Sequence, residues 1–186
     1  MLRGDLGIVG MPGLVFTPAD AGRYPAIAFG HGWLTGADRY RSLLYHFASW
    51  GIVVAAPDDQ KRVMASDIGL AADLRAAASI VSNYSLGTGE ITVDRDRIGF
   101  VGHGFGASAA VIAAGDQQLL GQEAPDARGV VALFPAPTTQ ALPQAAKTAT
   151  APCLLLTSAG QYGSLVTDIR LQLDPVSGDV VARSAK

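Results

Sequence analysis

The chain has 186 residues, 49% of them hydrophobic and 16% charged, with a formal net charge of −2; Ala (31) and Gly (22) make up more than a quarter of it. This length supports one domain over residues 1–186, and the absence of a basic run argues against a nucleic-acid-binding surface. No apolar stretch reaches the roughly 20 residues that a membrane span requires.

In chain order, the predicted elements are strands that alternate with helices. The strands are short apolar runs bounded by Pro or Gly, as expected for strands buried on both faces. The helices show apolar residues at spacings of three and four. The predicted order is strands 14–16 and 26–29, helix 40–50, strand 52–56, helix 66–82, strand 98–101, an Ala-rich helix ending at Gly115, and strands 130–134, 153–157 and 179–182.

This alternation predicts an α/β fold, with a mostly parallel central sheet and helices on both of its faces. In such sheets, ligands and catalytic groups lie at the carboxyl ends of the strands. The stretch 135–151, rich in Ala, Pro, Thr and Gln, is interpreted as a connection, with a lid over the site as the alternative.

The strongest chemical signal is Gly-His-Gly-Phe-Gly at residues 102–106, between a predicted strand and a predicted helix. This is the context of the nucleophile elbow, Gly-x-Ser-x-Gly, whose middle residue projects near the positive end of the helix dipole. Here the middle residue is Gly104, which has no side chain and therefore no nucleophile. A plain glycine-rich turn is the alternative, and the spacing does not fit the Gly-x-Gly-x-x-Gly loop that binds dinucleotides.

A second turn, Gly-His-Gly-Trp at residues 30–33, follows another predicted strand. A turn at this place in such a sheet can supply a backbone amide that stabilises an oxyanion. We therefore predict that the N–H groups of Trp33 and Phe105 point at one shared spot. The Trp33 ring would form an aromatic wall there, and His31, Gly32 and His103 are further predicted ligand-binding residues. A surface turn with a structural His31 is the alternative.

Four other reactive side chains are assigned structural roles. Asp58, after the predicted strand at 52–56, is expected to be a loop or cap carboxylate. His46 and Ser108 fall within predicted helices, and Cys153 begins a strand and is expected to be a buried thiol. A single cysteine excludes a disulfide framework and a cysteine-based zinc site, and no metal site is predicted.

Three blocks of the sequence resemble the α/β-hydrolases in their order and spacing: YPAIAFGHG at 24–32, WGIVVAAPD at 50–58 and DRIGFVGHGFGA at 96–107. The likeness extends over about residues 7–160. It is strongest to the group of bacterial cutinases and polyester hydrolases, dienelactone hydrolases and platelet-activating-factor acetylhydrolases. The resemblance implies the α/β-hydrolase fold, hydrolysis of carboxylic esters through Ser, His and Asp, and no metal or organic cofactor.

Transferred one residue at a time, the resemblance retains only part of the family's machinery. The nucleophile position falls on Gly104, whereas the oxyanion-binding amides fall on Trp33 and Phe105. The acid position falls near Tyr162, and Asp168 is the next carboxylate downstream. The nucleophile is therefore predicted to be lost, and the acid is in doubt.

The histidine of the family's triad comes last in the chain, after the final strand. The three histidines of this sequence, His31, His46 and His103, all precede that position. His103 matches an elbow position that is commonly His in this family and is not the catalytic base. The triad histidine is therefore predicted to be absent, and the domain to be C-terminally short.

Three interpretations of function remain open. The preferred one is a non-catalytic pseudoenzyme that binds a small acyl, ester or carboxylate ligand. The second is a genuine ester hydrolase of the cutinase or dienelactone hydrolase type, seen in a Ser-to-Gly or truncated form. The third is a structural or interaction module, in which a partner or a second copy of the chain covers apolar surface at the short C-terminal edge.

The N-terminal residues Met-Leu-Arg-Gly-Asp lack the apolar core of a signal peptide. A cytoplasmic protein is expected, with a secreted mature form as the alternative. The expected partners are the acyl or ester ligand and, at the short edge, another protein copy. No cofactor is expected.

Overall fold

The computed structural model describes residues 2–136, 141–156, 169–173 and 180–184. The strands are β1 (Leu2–Asp5), β2 (Gly13–Thr17), β3 (Gly22–Gly30), β4 (Val53–Pro57), β5 (Ile91–His103), β6 (Gly129–Leu133), β7 (Cys153–Leu156), β8 (Ile169–Leu173) and β9 (Val180–Ser184). The helices are α1 (Arg41–Ser49), α2 (Asp67–Asn83), α3 (Phe105–Ala114) and α4 (Ala141–Thr148). Short 3-10 helices occupy Leu6–Val9 and Ala37–Tyr40.

The main sheet has seven strands in the order β1-β2-β4-β3-β5-β6-β7. The five strands from β4 to β7 in this order are parallel, and β1 and β2 pair antiparallel at one edge. The predicted α/β class is therefore confirmed, and the architecture is that of an α/β-hydrolase fold. The register pairs Gly30 with Gly102 and His103 with Leu133. The carboxyl ends of β3, β5 and β6 therefore lie side by side at the same end of the sheet.

Helices cover both faces of the sheet. On one face, α1 buries Leu44 and Ala48 against Phe16, Phe29 and Val54. On the other face, α2 and α3 pack against the sheet and against each other. Every residue of α3 after its first is buried, and five of these are alanines whose small side chains let the helix lie close to the strands.

The predicted helices and most predicted strands are confirmed. The start of α2 has the expected cap, because Ser66 Oγ accepts a hydrogen bond of 3.0 Å from the Gly69 N–H. Two strands begin earlier than predicted, β3 at Gly22 and β5 at Ile91. The first residues of these two strands pair with each other, and a register shift between Tyr24 and Ala26 separates this pairing from the rest of the two strands. The sequence there contains several charged residues, so it forms no apolar run from which a strand would be predicted.

The predicted last strand is confirmed as β9, which pairs antiparallel with β8 in a separate two-stranded sheet. The polar strand β1 gives no hydrophobic signal and was not predicted, and neither was β8. Within the stretch interpreted as a connection between β6 and β7, the structure places α4.

Candidate functional site

The turn between β5 and α3 has the shape of an elbow with Gly104 at its apex. Gly104 adopts φ 57° and ψ −119°, in the left-handed half of backbone space that side chains disfavour. Among the described residues, only the Cα of Gly32, at 3.9 Å, would lie within 4 Å of a Cβ atom built on Gly104. The apex therefore faces the turn after β3, and no described residue fills the space that a side chain would take.

The first turn of α3 lies directly against the end of β3. A Cβ on Gly106 would overlap the carbonyl group of Gly30 and lie 2.5 Å from the carbonyl oxygen of His31. The glycine at this position is therefore required by close backbone approach. The same contact holds the two candidate oxyanion-binding turns together.

The elbow is also tied to β6 and the segment after it. The Gly104 N–H donates to the Leu133 carbonyl at 2.8 Å, and the Gly104 carbonyl accepts from the Ala136 N–H at 3.1 Å. Ser108, whose hydroxyl is the nearest to Gly104 along the sequence, is fully buried and donates to the Ala136 carbonyl at 2.6 Å. The expected packing role of Ser108 fits this geometry.

The predicted oxyanion-binding amides belong to Trp33 and Phe105. In the described part of the chain, neither backbone N–H donates a hydrogen bond. Phe105 is the first residue of α3, where backbone amides lack helical partners. The Trp33 ring is 53% exposed and donates from Nε1 to the Val63 carbonyl at 3.3 Å, so it stands at the rim of the turn.

His31 is fully buried. Its Nδ1 lies 2.9 Å from the Gly32 carbonyl oxygen, which can only accept, so Nδ1 carries the proton. Its Nε2 has no hydrogen-bond partner among the described residues. The buried ring is thus bonded to the backbone of the turn that it belongs to.

His103 is half-buried and belongs to a row of rings that begins in the core. Its Nδ1 lies 2.9 Å from the Tyr40 hydroxyl, which also accepts a hydrogen bond of 3.1 Å from the Gly32 N–H. Tyr40 packs on Phe29 at a centroid distance of 4.9 Å, and the rings of His103 and Phe134 meet edge to face with their centroids 6.2 Å apart. Sequence analysis missed Tyr40, because only its helical spacing was visible and 63 residues separate it from His103.

Asp58 is a structural carboxylate, as expected. Its Oδ1 accepts from the Ala37 N–H at 2.9 Å, at the start of the 3-10 helix that ends in Tyr40. Its Oδ2 accepts from the Lys61 ammonium at 2.8 Å, and this hydrogen bond raises the pKa of Lys61. Asp58 thereby anchors the segment that brings Tyr40 to the site.

The other predicted structural residues also lie where expected. His46 is exposed on α1, beside the ring of Trp50 at 6.1 Å. Cys153 is buried, and burial raises the pKa of its thiol to about 11. The predicted acid positions, Tyr162 and Asp168, lie outside the described residues.

A comparison with protein-family models places this fold and elbow in a known group. A model described as chlorophyllase matches residues 7–122, which include both candidate oxyanion-binding turns. The chain belongs to the chlorophyllase family. This is an α/β-hydrolase-type family, so the expected superfamily is confirmed. The closer likeness to cutinases, dienelactone hydrolases and platelet-activating-factor acetylhydrolases stays a prediction. No curated protein gives a significant match.

The described residues lack two features, a cluster of metal-binding side chains and a membrane-spanning helix. They contain no group of three or more His, Cys, Asp or Glu side chains arranged to hold a metal ion. None of their helices combines the length and apolar character needed to cross a bilayer. A cavity of about 590 Å³ is lined by α2, by Arg95 and Ile98 of β5 and by the loop at residues 122–126, and none of the predicted ligand-site residues lines it.

Proposed function

We propose that this member of the chlorophyllase family is a non-catalytic protein that binds a small acyl or ester ligand at the elbow. The observation that carries the proposal is Gly104 at the apex, where the family's chemistry requires a nucleophilic side chain. Glycine offers no atom that can form the acyl intermediate. Without triad members, an oxyanion site of this type loses most of the rate acceleration that the complete triad provides.

The positions of the histidines support the same proposal. A triad base must reach the nucleophile, which here would stand at the elbow apex. His31 is fully buried under its turn, and His46 is exposed on α1. His103 lies next to the apex, but its Nδ1 contacts the Tyr40 hydroxyl and not the carboxylate that orients a triad base. In the described residues, none of the three is arranged as the base of a triad.

The features that remain suit binding of an acyl group. The amides of Trp33 and Phe105 provide two donors for a carbonyl or carboxylate oxygen. The amino terminus of α3 adds a favourable field for negative charge. The exposed rings of Trp33 and Phe134 offer apolar surface beside these donors for the body of the ligand.

The test measures binding and hydrolysis of the same compounds, 4-nitrophenyl acetate, butyrate and octanoate. Saturation-transfer NMR reports binding of the intact ester, and release of 4-nitrophenolate reports hydrolysis. We expect saturation transfer to at least one ester and release close to that in buffer with a non-enzymatic protein. Rapid release by the unaltered chain would overturn the proposal in favour of a true hydrolase, and absence of transfer to all three esters would overturn it in favour of an interaction module.

A variant that fills the site locates the binding. Gly104→Leu places a side chain in the open space at the apex and should abolish saturation transfer. Gly89→Leu is the matched control, because Gly89 also has a positive φ, 93°, and open surroundings, but lies in the turn before β5. Both variants place a side chain at a glycine with positive φ, but only Gly104→Leu fills the apex, so only this variant should lose the ligand.

A further inference from the structure

The hydroxyl of Tyr40 joins the two turns of the proposed ligand site. It accepts a hydrogen bond from the Gly32 N–H, on the turn after β3, and contacts His103 Nδ1, on the turn after β5. A Cβ built on Gly32 would lie 3.0 Å from this hydroxyl and 3.3 Å from His103 Nδ1. The three groups are therefore packed together at the point that the elbow apex faces.

The protons of this network can be assigned by counting donors. A tyrosine hydroxyl has one proton to donate, and the Gly32 N–H can only donate to its oxygen. If His103 Nδ1 also donated, the hydroxyl proton would need another acceptor, and none is found for it among the described residues. The arrangement that satisfies every group has Tyr40 donating to His103 Nδ1. The neutral His103 ring then carries its proton on Nε2.

We propose that Tyr40 is a positioning residue that fixes His103 as an Nε2–H donor to the oxygen of the bound ligand. His103 is half-buried, and its Nε2 makes no hydrogen bond to any described residue, so this nitrogen is the one that we assign to the ligand. The inference rests on the proposed function for the ligand itself. It adds that the ligand is recognised through an acceptor oxygen, by a side-chain donor as well as by the backbone.

The three histidines make the tautomer measurable by long-range ¹H–¹⁵N NMR of the ring nitrogens at a pH where they are neutral. His31 donates from Nδ1 to a carbonyl, so it should show a protonated Nδ1. His103 should show the opposite pattern, a protonated Nε2. His46 is exposed and should show the mixture typical of free imidazole. The His103 signals are assigned by their loss in His103→Gln.

Tyr40→Phe removes only the hydroxyl and keeps the ring that packs on Phe29. We expect His103 to shift toward the mixed pattern, while His31 stays unchanged. Tyr45→Phe, at an exposed tyrosine of α1, is the matched control and should leave all three histidines as they are. A protonated Nδ1 at His103 in the unaltered chain, or an unchanged His103 in Tyr40→Phe, would overturn the assigned role of Tyr40.

The second readout is the affinity for whichever 4-nitrophenyl ester gives the strongest saturation transfer. Loss of one oriented hydrogen bond should weaken binding about fivefold in Tyr40→Phe and in His103→Phe. The double variant should bind no more weakly than His103→Phe, because Tyr40 acts through His103. Additive losses would contradict that route. If no ester binds to any of the proteins, the proposed function fails, and the NMR pattern still decides whether Tyr40 orients His103.

Discussion

The α-carbon of Gly106 lies so close to the backbone of Gly30 that neither residue has room for a side chain. The contact joins the first turn of α3 to the end of β3 across the parallel sheet. It fixes the separation of the two turns that carry the candidate oxyanion-binding amides. The packing of two glycines, which makes no use of side-chain chemistry, thus determines the geometry of the site.

Gly106→Ala should therefore destabilise the whole fold. The added methyl group would overlap the Gly30 carbonyl, and overpacking of this kind costs about 1–3 kcal/mol or more. Chemical denaturation followed by circular dichroism measures the loss. Gly129→Ala in β6 is the control, because its nearest neighbour would be the Pro152 carbonyl oxygen at 3.9 Å. Equal stability of the two variants would show that α3 can move away from β3 at no cost.

Gly104→Ser places the family's nucleophile at the apex and tests whether the rest of a triad is present. We expect release of 4-nitrophenolate to stay near background, because no described histidine is arranged as its base. The positive φ should cost about 1–2 kcal/mol of stability, and Gly89→Ser should cost a similar amount. Strong hydrolysis by Gly104→Ser would show that the chain retains an acid and a base, and would favour an ester hydrolase that has lost only its nucleophile.

Arg75 is a buried cation that satisfies backbone carbonyls. From α2 it donates to Ala113 at 2.8 Å and Gly115 at 2.6 Å, at the end of α3, and to carbonyls of the loop that follows. Arg75→Met should destabilise the protein by about 2–4 kcal/mol, because several carbonyls lose their donor in a buried place. Arg97→Met, at an exposed arginine of β5, is the control for loss of one positive charge. A loss for Arg75→Met no larger than for this control would mean that water replaces the guanidinium.

Asp73 predicts a specific dependence of stability on pH. Burial raises the pKa of its carboxyl in the folded state, and the hydrogen bond from Gln60 offsets this in part. A raised folded pKa means that the folded state binds the proton more tightly than the unfolded chain. The protonated carboxyl therefore makes its full contribution to the free energy of unfolding below the ordinary pKa of Asp. This contribution is lost as pH rises through the pKa that the carboxyl has in the folded state.

Asp73→Asn cannot ionise, so it removes this loss of stability at higher pH. The substitution keeps a side-chain oxygen that can accept the hydrogen bond from Gln60. We expect the variant to match the unaltered chain at about pH 3.5 and to be the more stable protein at about pH 7. Urea denaturation at a series of pH values measures the difference. Asp116→Asn, at an exposed aspartate after α3, should show no such divergence. If the stabilities of Asp73→Asn and the unaltered chain change in parallel with pH, ionisation of the buried carboxyl is excluded as a source of the pH dependence.

Local sequence was sufficient for much of the fold. Apolar runs such as the one at β4 predict strands buried on both faces, and the spacing of apolar residues predicts α1 and α2. The elbow was also predictable, since a strand, a glycine-rich turn and a helix are consecutive in the chain. The polar strand β1 was not, because its pairing with β2 comes from register and not from hydrophobic pattern.

The sequence by itself determined the α/β class and the glycine at the apex of the elbow, and it predicted the end of the sheet at which the candidate site lies. These features depend on residues close together in the chain, whose patterns express backbone geometry directly. Only the tertiary structure decided that Tyr40 bridges Gly32 and His103, and that Arg75 satisfies the end of α3. Those contacts join distant segments, and their distances follow from how helices pack on the sheet, which no local pattern records.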